Sequence, residues 1–86
     1  MRLKDTFVSE QVAGKHLLIP VGDEGFRGIV QGNGTFRAIL DALAEETTER
    51  RIVDSLLARY DAPEETVAKD VRDTLDQLRE IGALEE

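Results

Sequence analysis

No cysteine occurs in the 86 residues. Disulfides, zinc–thiolate sites, iron–sulfur clusters and thiol nucleophiles are therefore excluded within this chain. Histidine is almost as scarce, with His16 alone. A metal site or a catalytic triad needs partners around it, and no H-x-x-H, H-E-x-x-H or Cys cluster supplies them. His16 lies beside leucines and reads as an exposed or hairpin-edge residue. No apolar run approaches the roughly 20 residues that span a bilayer. The opening Met1-Arg2-Leu3-Lys4-Asp5 lacks the apolar stretch of a signal peptide. A cytoplasmic protein is expected, with no membrane contact. The length leaves no room for a second core, a doubly wound nucleotide fold or a barrel, so residues 1–86 are expected to form one domain. No G-x-x-x-x-G-K-[ST] loop is present. Gly32-Asn33-Gly34 begins like a dinucleotide fingerprint, but position 37, where the third glycine belongs, is Arg37. No catalytic residue, metal ligand or cofactor emerges, and no enzyme is expected.

Positive charge is in the minority, with 11 bases against 18 acids and a net charge of −7. The imbalance is local. Residues 1–33 hold four bases (Arg2, Lys4, Lys15, Arg27) and four acids (Asp5, Glu10, Asp23, Glu24), so all of the −7 lies in residues 34–86. Such a surface repels phosphates, which argues against nucleic acid and anionic membranes as partners. Most of these acids read as a solvated helical surface.

What is there divides into two periodicities. Phe7-Val8-Ser9-Glu10-Gln11-Val12 reads as a strand, Ala13-Gly14 as a turn, and Lys15-His16-Leu17-Leu18-Ile19-Pro20-Val21 as a second strand, forming a hairpin. Pro20 belongs at a strand end or an edge. Gly22-Asp23-Glu24-Gly25 reads as a loop, and Phe26-Arg27-Gly28-Ile29-Val30-Gln31 as a third strand ending in Gly32-Asn33-Gly34. Asn33 then caps a first helix through about Ala44, with Phe36, Ile39, Leu40 and Leu43 on one face. Thr48 caps a second helix whose stripe is Ile52, Val53, Leu56, Leu57 and Tyr60. Pro63 fits the first turn of a third helix, with Glu64 and Glu65 beside it. Val67, Val71, Leu75 and Leu78 continue the stripe, and Gly82 is the expected C′ residue. The expected fold class is α+β, winged helix-turn-helix-like: a three-stranded antiparallel sheet followed by three helices, β-β-β-α-α-α.

Two features point to a binding surface. The third strand is expected at the sheet edge, where unpaired N–H and C=O groups can be completed by an extended peptide. On the third helix, Asp73, Asp76 and Glu80 project to the polar face, but Asp70 lies next to the Val67–Val71 stripe. It either accepts hydrogen bonds from an incoming peptide or pairs with Lys69 or Arg72, or is simply solvated.

The ordered set of these segments resembles the PqqD-like family, the small RiPP recognition elements that bind leader peptides during ribosomal peptide modification. The resemblance covers nearly the whole chain. Phe7-Val8 with Ile19-Pro20-Val21-Gly22 is similar to the family's first hairpin. Gly28-Ile29-Val30-Gln31-Gly32-Asn33 is similar to its third strand and strand-to-helix Asn. The strongest parts are Leu56-Leu57-Ala58-Arg59-Tyr60-Asp61, Glu64-Glu65-Thr66-Val67-Ala68-Lys69-Asp70-Val71 and Leu75-Asp76-Gln77-Leu78-Arg79-Glu80-Ile81-Gly82. The chain departs from the family at Gly32, where Leu is usual, at Leu40, where Trp is frequent, and at Pro63, which replaces a small polar cap. The resemblance implies a non-catalytic, monomeric peptide chaperone without a cofactor. A precursor's leader segment would add as a strand along Gly28, Ile29, Val30, Gln31 and Gly32 and pack against Val67, Asp70, Val71 and Thr74. It would be presented to a modifying enzyme, most often of the radical S-adenosylmethionine (SAM) class, or assist a lasso-peptide leader protease.

Two alternatives stand beside this. A winged-helix DNA-binding transcriptional regulator shares the fold but needs a basic reading helix. Residues 64–86 hold three bases and eight acids. A protein-interaction module would need a partner contact but no sequence-specific peptide.

Overall fold

The structure, a computed structural model, describes residues 1–21, 28 and 30–86. Two antiparallel sheets and three helices follow in the order β1 (Arg2–Leu3), β2 (Phe7–Val12), β3 (Lys15–Pro20), β4 (Val30–Gly32), α1 (Gly34–Ala42), α2 (Glu49–Arg59), α3 (Glu64–Glu80) and β5 (Leu84–Glu85). β2, β3 and β4 form the expected three-stranded sheet with β3 in the middle. This is an α+β fold of the winged-helix type, a sheet followed by three helices.

The hairpin register runs from Phe7 opposite Pro20 to Val12 opposite Lys15. Pro20 stands at the end of β3, where its missing N–H costs the ladder least. Alternation puts Phe7 and Leu18 on the buried face, with Val30 joining Leu18 from β4. The third strand is shorter than its sequence pattern predicts: among the described residues pairing begins at Val30, and Gly28 lies in a bend. The loop expected at residues 22–25, and Phe26, Arg27 and Ile29, lie outside the described residues.

Local signals set the helix ends. Asn33 Oδ1 accepts the Phe36 N–H at 3.0 Å, and the Thr48 hydroxyl accepts the Arg51 N–H at 3.2 Å. Each satisfies an N–H that the first turn leaves without a partner. Pro63 is the N-cap itself, one residue before the expected first turn, and Glu64 and Glu65 occupy that turn. At the other end of α3, Gly82 has φ +76°, the Gly82 N–H reaches the Arg79 carbonyl at 3.1 Å, and the Ala83 N–H reaches that of Leu78 at 2.8 Å. These are the two bonds of a Schellman cap, which turns the chain back on the helix.

That turn leads to a pairing the periodicity does not reveal. β5 pairs with β1, Leu84 opposite Leu3. The Leu3 N–H also bonds the Leu43 carbonyl and the Lys4 N–H that of Ala83, at 2.9 and 2.8 Å. The first residues thus tie the α1 end to the α3 end.

The buried residues form one cluster. Leu18, Ile39, Leu43, Ile52, Val71, Leu75 and Leu78 are its largest fully enclosed side chains. The α2 stripe holds for Ile52, Val53 and Leu56, but not for Tyr60. The helix ends at Arg59, Tyr60 turns to extended backbone and is 39% exposed, and the Arg59 guanidinium lies over its ring, 5.8 Å from the ring centre. No helix among the described residues is long and apolar enough to cross a membrane.

The hairpin turn carries a measurable strain. Ala13 and Gly14 have φ of +52° and +78°. Two successive positive φ values match a type I′ turn, whose twist suits a two-residue hairpin and whose first position favours Asn. An alanine Cβ in this region costs about 1–2 kcal/mol. Ala13→Asn is therefore expected to raise stability by about 0.5–1 kcal/mol and Ala13→Val to lower it, both read from urea midpoints. Equal midpoints for the three proteins would contradict the turn geometry.

Candidate functional site

β4 lies at one end of the sheet order, and β3 is its only strand partner among the described residues. No described strand pairs with its other side. Val30 faces the core, Gln31 is exposed, and Gly32 returns to the core side opposite His16.

Gly32 has a specific packing role. A Cβ built there would overlap the Phe36 ring and its Cβ. The ring thus lies directly against the β4 backbone, in the space a side chain at position 32 would take. This accounts for the glycine: the apolar cover that a leucine would supply comes instead from Phe36, one helical turn later and only 6% exposed.

From this corner two notches run between the helices. One, of about 180 Å³, is lined by Asn33, Thr35, Phe36, Asp70, Asp73 and Thr74. The other, of about 170 Å³, is lined by Thr35, Leu56, Tyr60, Ala62, Thr66, Val67 and Asp70. The first is mainly polar and the second mainly apolar. Thr35 from the first turn of α1 and Asp70 from α3 line both and form the saddle between them.

The expected site residues divide accordingly. Val30, Gln31 and Gly32 form the open strand. Gly28 is exposed beside it, and Ile29 lies outside the described residues. Val67, Asp70 and Thr74 line the notches. Val71 does not: it is fully buried, so a charged substitution there would attack the core before any groove. Asp73, expected on the far polar face, reaches the polar notch while its carboxylate holds Lys69 at 2.7 Å. Thr35, Phe36, Thr66 and Tyr60 were not expected here. The sequence placed Phe36 and Tyr60 on buried helical stripes, and Thr35 and Thr66 gave no signal.

The electrostatics remove one alternative at Asp70, a direct pair with Lys69 or Arg72. Lys69 pairs with Asp73, and Arg72 reaches across to Glu49 at 3.0 Å. The Lys69 ammonium is held above its usual range by the Asp73 hydrogen bond first and its charge second. Asp70 forms no hydrogen bond or ion pair with any described residue. Arg79 is shared between Asp76 and Glu86, both at 3.0 Å. Every cation of α3 is therefore occupied, while Glu65, Asp70 and Glu80 have no hydrogen bond or ion pair with a described residue, and of these three Asp70 lines the notches. His16, expected at an exposed edge, is half-buried on the central strand, and its Nδ1 has no partner among the described residues. No group of three His, Asp or Glu positioned for a metal occurs among them.

An end strand of the sheet and the two notches beside it make up the candidate surface. The chain matches the profile of the family described as coenzyme PQQ synthesis protein D (PqqD) over residues 17–84, and it belongs to that family. The solved structure of TbiB1 in complex with the TbiA(beta) leader peptide is similar to 99% of this chain and 100% of its own, with a TM-score of 0.74 and 26% sequence identity. No curated protein matches the chain.

The Gly32 contact is directly testable. Gly32→Leu is expected to destabilise by about 1–3 kcal/mol, as overpacking does. Phe36→Ala should cost about 3–5 kcal/mol. In the double variant the leucine enters the vacated space, so the two losses should fall well short of additive in a denaturation cycle. Additive losses would mean that the two residues do not share one space.

Proposed function

We propose that this chain is a non-catalytic, single-domain recognition element that binds the leader segment of a ribosomally made precursor by strand addition at β4. The open edge of β4 beside two notches carries the reading. Main-chain groups there accept any extended chain, and the notches select among chains by alternate side chains. Similarity to TbiB1, a protein solved with a leader peptide, supports a peptide ligand. Membership in the PqqD family supports an accessory role. In this reading the protein acts as a cytoplasmic monomer without a cofactor, and the chemistry resides in a modifying enzyme, most often of the radical SAM class. β2 also ends the sheet, but the notches adjoin β4, so selectivity favours β4.

The winged-helix regulator is disfavoured by more than net charge. A reading helix needs free cations for phosphates. Lys69, Arg72 and Arg79 are all engaged by carboxylates.

The test is a titration of isotopically labelled protein with the precursor peptide encoded beside its gene. Amide shifts are expected at residues 28–33, Thr35, Asp70 and Thr74. Peptides N-methylated at alternate residues should lose binding when the blocked N–H faces β4. Random duplex DNA should show no binding in the ~1–100 µM range of ordinary non-specific binders. Shifts confined to β2 or α2, or tight salt-sensitive DNA binding, would overturn the reading.

A further inference from the structure

We propose that the segment bound along β4 carries a lysine or arginine whose cationic end is held by Asp70. This rests on the peptide-binding reading above and specifies what the peptide must contain.

Two carboxylates on a helix are ordinary. What sets Asp70 apart is its position. It stands on the saddle shared by both notches, and the polar notch opens at Asn33, the residue that follows the open strand. A peptide leaving the β4 edge meets this point directly.

The strand geometry selects which peptide side chain arrives there. Val30 and Gly32 share one face of β4, and Gln31 has the other. A paired peptide alternates in the same way, so its residue beside Gly32 points to the helix side. Gly32 has no Cβ, and the Phe36 ring forms the floor at that position. The ring fills the space beside Gly32 itself and also lines the polar notch, so a long side chain running along that notch meets an apolar edge for its stem.

The end of that side chain then enters the polar lining. Asp73 is committed to Lys69 at 2.7 Å, and Asn33 Oδ1 to the Phe36 N–H at 3.0 Å. Asp70 remains the carboxylate of the notches with no direct bond to a cation. Lys69 acts on it only through its charge while bonded to Asp73, and Arg72 is bonded to Glu49. A stem packed on an aromatic floor with its charge reaching outward is the usual way a lysine or arginine is accommodated. A bare carboxylate at the end of that path favours a cation over an acid or an apolar end.

The experiment selects a random peptide library on the full chain and remakes one binder with lysine or norleucine at its basic position. Binders that shift the amides of residues 30–33 are expected to share Lys or Arg at one position. Norleucine should weaken binding about fivefold, the scale of a partly exposed ion pair. Asp70→Asn should erase the difference between the two peptides, whereas Asp76→Asn, which alters a carboxylate paired with Arg79 elsewhere on α3, should preserve it. Binders that shift residues 30–33 without a shared basic position would overturn this proposal and leave strand addition standing. So would an Asp70→Asn loss equal for both peptides. If no binder shifts those amides, the peptide-binding reading fails and this inference with it.

Discussion

The Phe36 ring against the Gly32 backbone is the joint on which the arrangement depends. Among the described residues the sheet contributes few enclosed side chains, chiefly Phe7, Leu18 and Val30, whereas the helices supply most of the core. A three-residue strand followed at once by a helix has little else to fix the angle between them. Because Gly32 lacks a Cβ, the first turn of α1 can lie directly on the strand, and Asn33 supplies the cap in between. That close approach places Thr35 opposite α3, which creates both notches. A bulkier residue at position 32 would wedge α1 outward and change the site without touching a residue that lines it.

The surface charge is organised by pairing more than by its sum. Arg50 bonds Asp54 and Glu64, Arg72 reaches Glu49, and Arg37 bonds Asp41 and Gln11. Several of these link separate elements, yet they are exposed and screened by solvent, so each contributes little. Their larger consequence is negative: they consume the cations. With twice as many acids as bases in residues 34–86, some carboxylates must remain without a partner, and Asp70 is the one that faces the notches. The same pairing makes α3 a poor phosphate reader even though its place in the fold matches that of a DNA-reading helix.

Much of the fold was legible because its boundaries rest on local chemistry. Asn33, Thr48 and Gly82 act within three or four residues of themselves, and the valine and leucine spacing of α3 reports its buried face. The failures share one cause, which is contact between distant segments. Pairing of Arg2–Leu3 with Leu84–Glu85 leaves no periodic trace in two-residue strands. Tyr60 continues the helical spacing, but Pro63 restricts the chain just ahead and the helix stops at Arg59. Val71 and Val67 look alike in sequence, yet one is sealed and the other lines a notch. Thr35 is silent in sequence because its role exists only once α1 meets α3. Asp70 was legible as a marginal position, while its lack of a partner depended on where Arg72 and Lys69 turned.

The shortness of β4 constrains how any peptide can be held. In an antiparallel pair, alternate residues of a strand face the new partner, so three residues offer roughly two to four main-chain bonds. At a net 0.5–1.5 kcal/mol each, these contribute about 1–6 kcal/mol. Association costs about 4–15 kcal/mol before any affinity remains. The strand edge by itself therefore does not retain a peptide, and this has a protective side: a short edge ending in glycine is also a poor template for indiscriminate pairing. On the proposed reading, binding must draw on the notches, where an apolar side chain buried against Leu56 and Val67 would contribute about 1.5–3 kcal/mol. Affinity and selectivity would then come from the same contacts. A chain with the wrong side chains would be rejected not because it fails to pair with β4, but because pairing alone is too weak to hold it.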